Sequence, residues 1–130
     1  MNYFAYASNL NLKQMQQRCP GSKPLFKATL PNYNLVFNGW SRELRGGKAN
    51  IRVNRGEKVR GAVYEVSEQE MKQLDRHEPG YDRSRVTVFD EDSEPHDVIT
   101  YIKTARSEIT KPSAAYLSII QQGRKDWRIS

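Results

Sequence analysis

The sequence predicts an α+β fold in which a small mixed, mostly antiparallel β-sheet or β-barrel is flanked by short helices. About seven runs of residues have strand character, and only three short segments carry helix signals. Strands and helices do not alternate regularly along the chain, which argues against a parallel α/β sheet. With 130 residues and no internal repeat, residues 1–130 are predicted to form one domain with one core.

The predicted strands are rich in β-branched and aromatic residues and are separated by Gly, Pro and Asn. They cover residues 2–7, 24–30, 33–39, 49–53, 59–66, 81–89 and 97–103. Turn signals at residues 30–32 (LPN) and 54–56 (NRG) predict two tight turns between strands. The Arg-rich stretch that contains Gly46 and Gly47 is predicted to be a loop.

Three helices are predicted from their start and stop signals. Residues 12–18 form the first, with Asn9 or Asn11 as the cap. The second has the clearest start, because Ser67 and Glu70 match a capping box. The last begins near Pro112 and ends at Gly123, and the tail after it is predicted to be loose although it contains Trp127.

Composition narrows the classes of protein. No apolar run approaches the ~18 residues that span a bilayer. The first residues do not show the basic segment followed by an apolar segment that is typical of a signal peptide. Cys19 is the only cysteine, so an internal disulfide is excluded and a reducing, cytoplasmic location is expected. We therefore expect neither membrane association nor secretion.

Charge raises the possibility of nucleic-acid binding. The net charge is +6 and the sequence pI is about 9.5. The basic residues cluster between Arg42 and Arg60, but no aromatic residues that would stack on bases are interleaved there. A solvated basic hairpin is a better interpretation, and nucleic acid is disfavoured as a partner.

Common catalytic motifs are missing. His77 and His96 have no partners at zinc-ligand spacing, so no metal site is predicted. Ser8 is not part of a Gly-x-Ser-x-Gly elbow, and no phosphate-binding glycine loop occurs. Glu78 lies at the end of the second helix, where the helix dipole disfavours a carboxylate. Taken alone, Glu78 is best interpreted as a solvated surface residue.

Three motifs change this interpretation. Residues 6–10, Tyr-Ala-Ser-Asn-Leu, resemble the Tyr-Gly-Ser-Asn-Leu signature of the gamma-glutamylcyclotransferase-like (AIG2-like) family. Residues 59–66 (VRGAVYEV), followed by Leu74, Asp75 and Glu78, are similar to its central block. Residues 112–116 (PSAAY), with Ile120 and Gly123 behind them, are similar to its C-terminal block. The motifs cover nearly the whole chain in the family's order.

The resemblance implies a compact β-barrel and a reaction without metal or cofactor. A small-molecule γ-glutamyl amide closes on itself, releasing 5-oxoproline and an amine or amino acid. Glu78 is implied as the general acid and base, because a carboxylate in a partly apolar pocket is suited to move this proton. Implied substrate-binding positions are Tyr6, Ala7, Ser8, Asn9, Leu10, Tyr81 and Tyr116.

Ala7 departs from the family motif, which has glycine at this position. If the position requires a positive φ, alanine costs on the order of 1 kcal/mol. If glycine serves only to let the substrate approach, the added methyl narrows the site. An alternative hypothesis is therefore a catalytically silent member of the fold that binds a small anionic ligand or a partner protein. The leaving amine, and the choice between monomer and homodimer, stay open.

Overall fold

A computed structural model describes all residues from 1 to 130, and its five strands close into a barrel in the order β1-β3-β2-β4-β5. The strands are β1 (Asn2–Ala5), β2 (Lys23–Ser41), β3 (Gly46–Glu65), β4 (Asp82–Asp90) and β5 (Pro95–Ile102). The helices are α1 (Leu12–Arg18), α2 (Glu68–Arg76) and α3 (Ala114–Asp126), and a 3-10 turn covers Ser8–Leu10.

The barrel is mixed but mostly antiparallel, which confirms the predicted fold class. β1 pairs antiparallel with β3 along its whole length. Its other edge meets β5 in parallel, with Tyr3 opposite Ile99, and this contact closes the barrel. The remaining pairs, β2–β3, β2–β4 and β4–β5, are antiparallel.

Two of the predicted turns are wrong, and the predicted seven strands are five. β2 and β3 form one long hairpin whose register shifts where Pro31 pairs with Lys58 and Tyr33 pairs with Val53. The turn signals therefore mark an irregularity within two continuous strands, where the Asn32 side chain accepts a hydrogen bond from the Gly56 N–H at 3.1 Å. The predicted loop at residues 46 and 47 is also wrong, because β3 begins there.

The helix caps follow the sequence closely at the helix starts. Asn11 caps α1, and the predicted capping box of Ser67 and Glu70 is present at α2. α3 begins one residue after Ser113, whose side chain accepts from the Tyr116 N–H. The predicted end of α3 is wrong, because the helix runs through Gly123 to Asp126.

The chain after α3 is anchored, contrary to the predicted loose tail. The indole N–H of Trp127 donates to the Leu10 carbonyl at 3.0 Å, and its ring packs edge-on against Tyr64. Ile129 is buried beyond it. These contacts attach the end of the chain to the segment that follows β1, which is the segment that forms the candidate site.

The core has two layers because side chains alternate along β1. Phe4 packs inside the barrel with residues such as Val63 and Val88. Tyr3 and Ala5 face the other side and pack with α1 and α2. None of the three helices has the length and apolar character of a transmembrane span.

Candidate functional site

The segment after β1 turns sharply into a short 3-10 turn. The first hydrogen bond of this turn runs from the Leu10 N–H to the Ala7 carbonyl at 3.1 Å. The N–H groups of Ser8 and Asn9 precede it, so they find no acceptor within the turn. Ala7 has φ of −137°, so this position does not need the left-handed conformation that glycine favours.

Asn9 fixes the turn in place. Its side chain is buried, donates to the Tyr3 hydroxyl at 3.0 Å, and accepts from Gln14 at 3.1 Å and Arg18 at 3.0 Å. The Tyr64 hydroxyl donates to the Asn9 carbonyl at 2.8 Å. Because both polar atoms of this side chain are engaged, Asn9 is fixed and orders the turn.

Glu78 lies in a small cavity next to this turn. Its carboxylate side chain is only 11% exposed, so the interpretation as a solvated surface residue is wrong. The cavity has a volume of about 20 Å³. Its lining residues are Tyr3, Tyr6, Ala7, Ser8, Asn9, Lys48, Ala49, Glu78, Tyr101 and Tyr116. The turn after β1 and the end of α2, which are far apart in the sequence, therefore meet at one point.

Lys48 is the charged neighbour of Glu78. Its ammonium nitrogen lies 3.2 Å from Glu78 Oε2 and also donates to the His77 carbonyl at 3.0 Å. Burial raises the pKa of Glu78 above its usual value, while Lys48 and, more weakly, Arg18 act to lower it. The net effect is a carboxylate that binds a proton more readily than a solvated one.

Asp75, the other carboxylate near the end of α2, has a structural role. It accepts two hydrogen bonds from the Arg83 guanidinium, at 3.0 and 2.8 Å, and one from the Tyr101 hydroxyl at 2.7 Å. Arg83 holds the pKa of Asp75 below its usual value. These bonds join α2 to β4 and β5, which fixes the end of α2 just before Glu78.

Two tyrosines contact the backbone of Ala49 in β3. The Tyr116 hydroxyl accepts from the Ala49 N–H at 3.1 Å, so its own proton is available to another acceptor. Burial raises the pKa of Tyr116 to about 12, so the hydroxyl is neutral at pH 7. The Tyr81 hydroxyl donates to the Ala49 carbonyl. Tyr6 has a similar anchor, because its hydroxyl donates to the Tyr101 carbonyl at 2.7 Å.

A larger cavity of about 360 Å³ adjoins the small one, and Ser8, Lys48 and Tyr116 line both. We refer to them as the outer and the inner cavity. The outer cavity is bordered by four further cations and one acid, which are Arg18, Arg42, Arg76, Lys103 and Glu43. Its positive charge favours an anionic ligand.

The structure brings most of the sequence-predicted site residues together. Residues 6–9, Glu78 and Tyr116 all line the inner cavity, whereas Tyr81 lines only the outer one. Leu10 is fully buried in the core layer that contains Met15, and its side chain lines neither cavity.

Sequence reasoning missed Lys48, Tyr3 and Tyr101. Nothing in the sequence separates Lys48 from its basic neighbours, because only the strand register turns it towards Glu78. Tyr3 and Tyr101 are indistinguishable from core tyrosines of a strand. The histidines do not meet, since His96 pairs with Asp90, and no three His, Cys, Asp or Glu side chains are grouped to hold a metal ion.

Comparison with known proteins identifies the family. The family model described as "Gamma-glutamyl cyclotransferase, AIG2-like" matches residues 3–128, almost the whole chain. The chain belongs to this family. Gamma-glutamylcyclotransferases of Homo sapiens and Bos taurus are each 29% identical over 132 aligned positions, which cover 95% of this chain and 70% of theirs.

A solved structure named "Gamma-glutamyl cyclotransferase" superposes with a TM-score of 0.92. It is 27% identical and the match covers 98% of this chain and 79% of that one. The gamma-glutamyl cyclotransferase family is a family of enzymes, and the barrel described here has its fold. The family resemblance expected from residues 6–10, 59–78 and 112–123 is thus confirmed.

Proposed function

We propose that this protein is a gamma-glutamyl amide cyclotransferase in which Glu78 is the general acid and base. The α-amine of a γ-glutamyl amide attacks its own γ-carbonyl, which forms 5-oxoproline and releases an amine or amino acid. The observation that carries the proposal is that Glu78 and the turn after β1 line the same small, enclosed cavity. The family model, which also supports the proposal, matches residues 3–128.

Glu78 suits the proton transfers of this reaction. The α-ammonium must lose a proton before its nitrogen can attack, and a buried carboxylate with a raised pKa accepts one. When the tetrahedral intermediate collapses, the bond from the γ-carbon to the amide nitrogen breaks and Glu78 returns a proton to that nitrogen. The attacking nitrogen loses its second proton at this stage, which leaves one N–H in 5-oxoproline and yields the protonated amine. General acid and base action of this kind contributes about 10²- to 10⁴-fold in rate.

The turn after β1 suits the developing negative charge. The γ-carbonyl oxygen becomes an oxyanion, which requires donors that already point to its position. The backbone N–H groups of Ser8 and Asn9 have no acceptor within the turn, and both residues line the inner cavity. We assign them the role of oxyanion donors, with Asn9 held in place by its side-chain bonds to Tyr3 and Arg18.

Two other groups bind the substrate in this proposal. The Tyr116 hydroxyl is neutral, lines both cavities and has a proton to donate. Lys48 stands beside Glu78, where it attracts the substrate α-carboxylate and keeps Glu78 ionised before substrate binds. No step in this scheme uses a metal or cofactor. The nucleophile is tethered to the carbonyl, so holding a folded conformer supplies much of the rate.

The test is release of 5-oxoproline from a panel of γ-glutamyl amino acids, glutathione and γ-glutamyl alkylamines. We expect product from at least one class and a loss of about 10²- to 10⁴-fold in kcat for Glu78→Gln. Glu65→Gln is the matched control, because Glu65 is exposed on β3 and has no ion pair. Equal rates for Glu78→Gln and the wild type would overturn the mechanism.

A second candidate function is binding without catalysis. In this case the protein is a catalytically silent member of the fold that binds a small anionic ligand or a partner protein. The positive outer cavity and the tight inner cavity of about 20 Å³ favour this alternative. Absence of 5-oxoproline from every substrate, with a folded protein, would support it. In both cases we propose a cytoplasmic protein, because Cys19 is free and buried as expected in a reducing compartment.

A further inference from the structure

Asn38 is a buried polar residue whose side-chain carbonyl has no partner in the protein. It lies on β2, is only 1% exposed, and its Oδ1 accepts no hydrogen bond. Burying an unsatisfied amide group costs free energy, so such a group calls for an explanation. Asn38 lines the outer cavity, and its amide NH₂ group has no hydrogen-bond partner in the protein either. The NH₂ group is therefore free to donate to a ligand in that cavity.

Lys103 lines the same cavity and has no anionic partner. None of the ion pairs of the structure includes it. Its ammonium nitrogen lies 5.5 Å from the centroid of the Tyr81 ring, on which Lys48 also sits at 4.8 Å. Burial, together with the charge of Lys48, lowers the pKa of Lys103. The attraction of an anion bound next to the ammonium group would offset both effects.

The Asn50 side chain holds the backbone of Lys103 in place. The Asn50 side chain accepts from the Lys103 N–H at 2.9 Å and donates to its carbonyl at 3.0 Å, as a neighbouring strand would. The ammonium group lies against Gly39, the residue next to Asn38. Gly39 has φ of +68°, and a Cβ there would stand only 2.7 Å from the Lys103 nitrogen. The backbone of Lys103 is thus fixed by Asn50, and its ammonium group lies beside Gly39, next to Asn38.

We propose that Asn38 and Lys103 form a carboxylate-binding subsite for the leaving group, so that the preferred substrates are γ-glutamyl amides of amino acids or peptides, not of alkylamines. This inference rests on the proposed cyclotransferase function. The amide NH₂ of Asn38 and the ammonium of Lys103 are both hydrogen-bond donors, and a carboxylate accepts from two such donors at once. An alkylamine offers neither an acceptor nor a negative charge.

The position of the subsite identifies which part of the substrate it would bind. The inner cavity contains Glu78 and the turn after β1, so the reacting carbonyl belongs there. Asn38 and Lys103 line the adjoining outer cavity and not the inner one, and the outer volume of about 360 Å³ accommodates the group on the far side of the scissile bond. The two residues also line a third cavity of about 640 Å³, which contains neither Glu78 nor the turn after β1. In an amino-acid leaving group, the carboxylate is attached to the carbon next to the scissile nitrogen.

The experiment compares three substrates that differ at one group: γ-glutamyl-alanine, γ-glutamyl-alaninamide and γ-glutamyl-ethylamine. For the wild type we expect kcat/KM to be about tenfold to a hundredfold higher for γ-glutamyl-alanine than for the other two, as for one charge-assisted contact. Lys103→Met should reduce this preference to near unity through a higher KM for γ-glutamyl-alanine. Lys103→Arg should retain most of it.

Arg85→Met is the matched control, because Arg85 is exposed on β4 and lines neither cavity. Asn38→Leu is a second variant of similar volume and should also reduce the preference. A wild type that does not distinguish γ-glutamyl-alanine from γ-glutamyl-alaninamide would overturn the subsite. So would a Lys103→Met variant that keeps the full preference.

Failure of the subsite and failure of the cyclotransferase proposal give different results. Calorimetry with Glu78→Gln measures binding of intact γ-glutamyl-alanine and γ-glutamyl-alaninamide, whether or not the wild type turns them over. Tighter binding of the first, lost when Lys103→Met is added, supports the subsite even if no 5-oxoproline forms. Equal binding of the two overturns the subsite even if both are converted.

Discussion

The ammonium nitrogen of Lys48 lies 3.2 Å from the carboxylate of Glu78, and the two side chains are only 19% and 11% exposed. Two opposing effects therefore act on one carboxylate. Removal from water favours its neutral form, whereas the adjacent cation favours its charged form. Burial is the larger effect, so the pKa of Glu78 stays raised but Lys48 limits the increase. In the proposed mechanism this balance decides at which pH the base is available.

Replacing Lys48 should move the pH dependence of the reaction. A base works only when deprotonated, so kcat/KM falls as the pH drops through the pKa of Glu78. Because that pKa is raised, the wild-type fall should occur above the usual glutamate range. In Lys48→Met the lowering influence is gone, so the fall should shift to higher pH. A pH profile of kcat/KM measures this, with Lys125→Met on the exposed face of α3 as control.

A shift of the acidic limb to lower pH, or no shift in a variant that keeps its activity, would contradict the assignment of Glu78 as the base. A loss of activity at all pH values with an unchanged limb would instead show that Lys48 acts on the substrate alone.

Glu78→Gln should make the fold more stable at pH 7 while it removes activity. The folded-state pKa of Glu78 is raised above its unfolded value, so stability is lost as the pH rises through the folded pKa. A neutral glutamine avoids this loss, and its side-chain oxygen can still accept from Lys48. The difference should shrink on acidification and vanish below about pH 4, where the unfolded glutamate is also protonated.

Thermal unfolding of the two proteins at pH 7 and pH 4 measures this difference. We expect the stability of Glu78→Gln relative to the wild type to be greater at pH 7 than at pH 4. The opposite order would show that the carboxylate stabilises the fold.

The sequence predicted local features well and long-range ones poorly. The capping box at Ser67 is confirmed because all its atoms lie within four residues. The turn signals at residues 30–32 and 54–56 misled, because the same Pro, Asn and Gly residues that end strands also permit register shifts inside them. The burial of Glu78 and its pairing with Lys48 depend on how β3 packs against the end of α2, which no local pattern encodes.

Ala7→Gly should increase activity at a small cost in stability. The family motif has glycine where this chain has Ala7, either because the position needs a positive φ or because the substrate needs room. Ala7 has a negative φ, so only the second explanation fits. Ala7 lines an inner cavity of about 20 Å³, and we expect that removing its methyl gives the substrate room. We expect a higher kcat/KM and a loss of about 1 kcal/mol in unfolding free energy from chain entropy. Steady-state kinetics and denaturant titration measure both.

Ala5→Gly is the control for Ala7→Gly, because Ala5 is equally small and buried but does not line the inner cavity. Unchanged or lower kcat/KM in folded Ala7→Gly would show that the methyl does not restrict the substrate.

Gly123→Ala should destabilise the protein although it lies inside a helix. In an isolated helix this change is favourable by about 1 kcal/mol. Here a Cβ at Gly123 would stand 2.4 Å from the Asn11 N atom and 2.6 Å from the Leu10 carbonyl carbon. These are backbone atoms at the end of the candidate oxyanion turn, and they cannot move without moving Ser8 and Asn9. We therefore expect a loss of about 1–3 kcal/mol, as for overpacking in a core.

The same clash should reach the active site, since the turn that is displaced carries the proposed oxyanion donors. Gly123→Ala should thus lower kcat more than it raises KM, whereas Gln121→Ala, on the exposed side of α3, should leave both unchanged. Unfolding experiments and steady-state kinetics on the two variants test this. Stable, fully active Gly123→Ala would mean that α3 can withdraw from the turn, and that the close contact does not position Ser8 and Asn9.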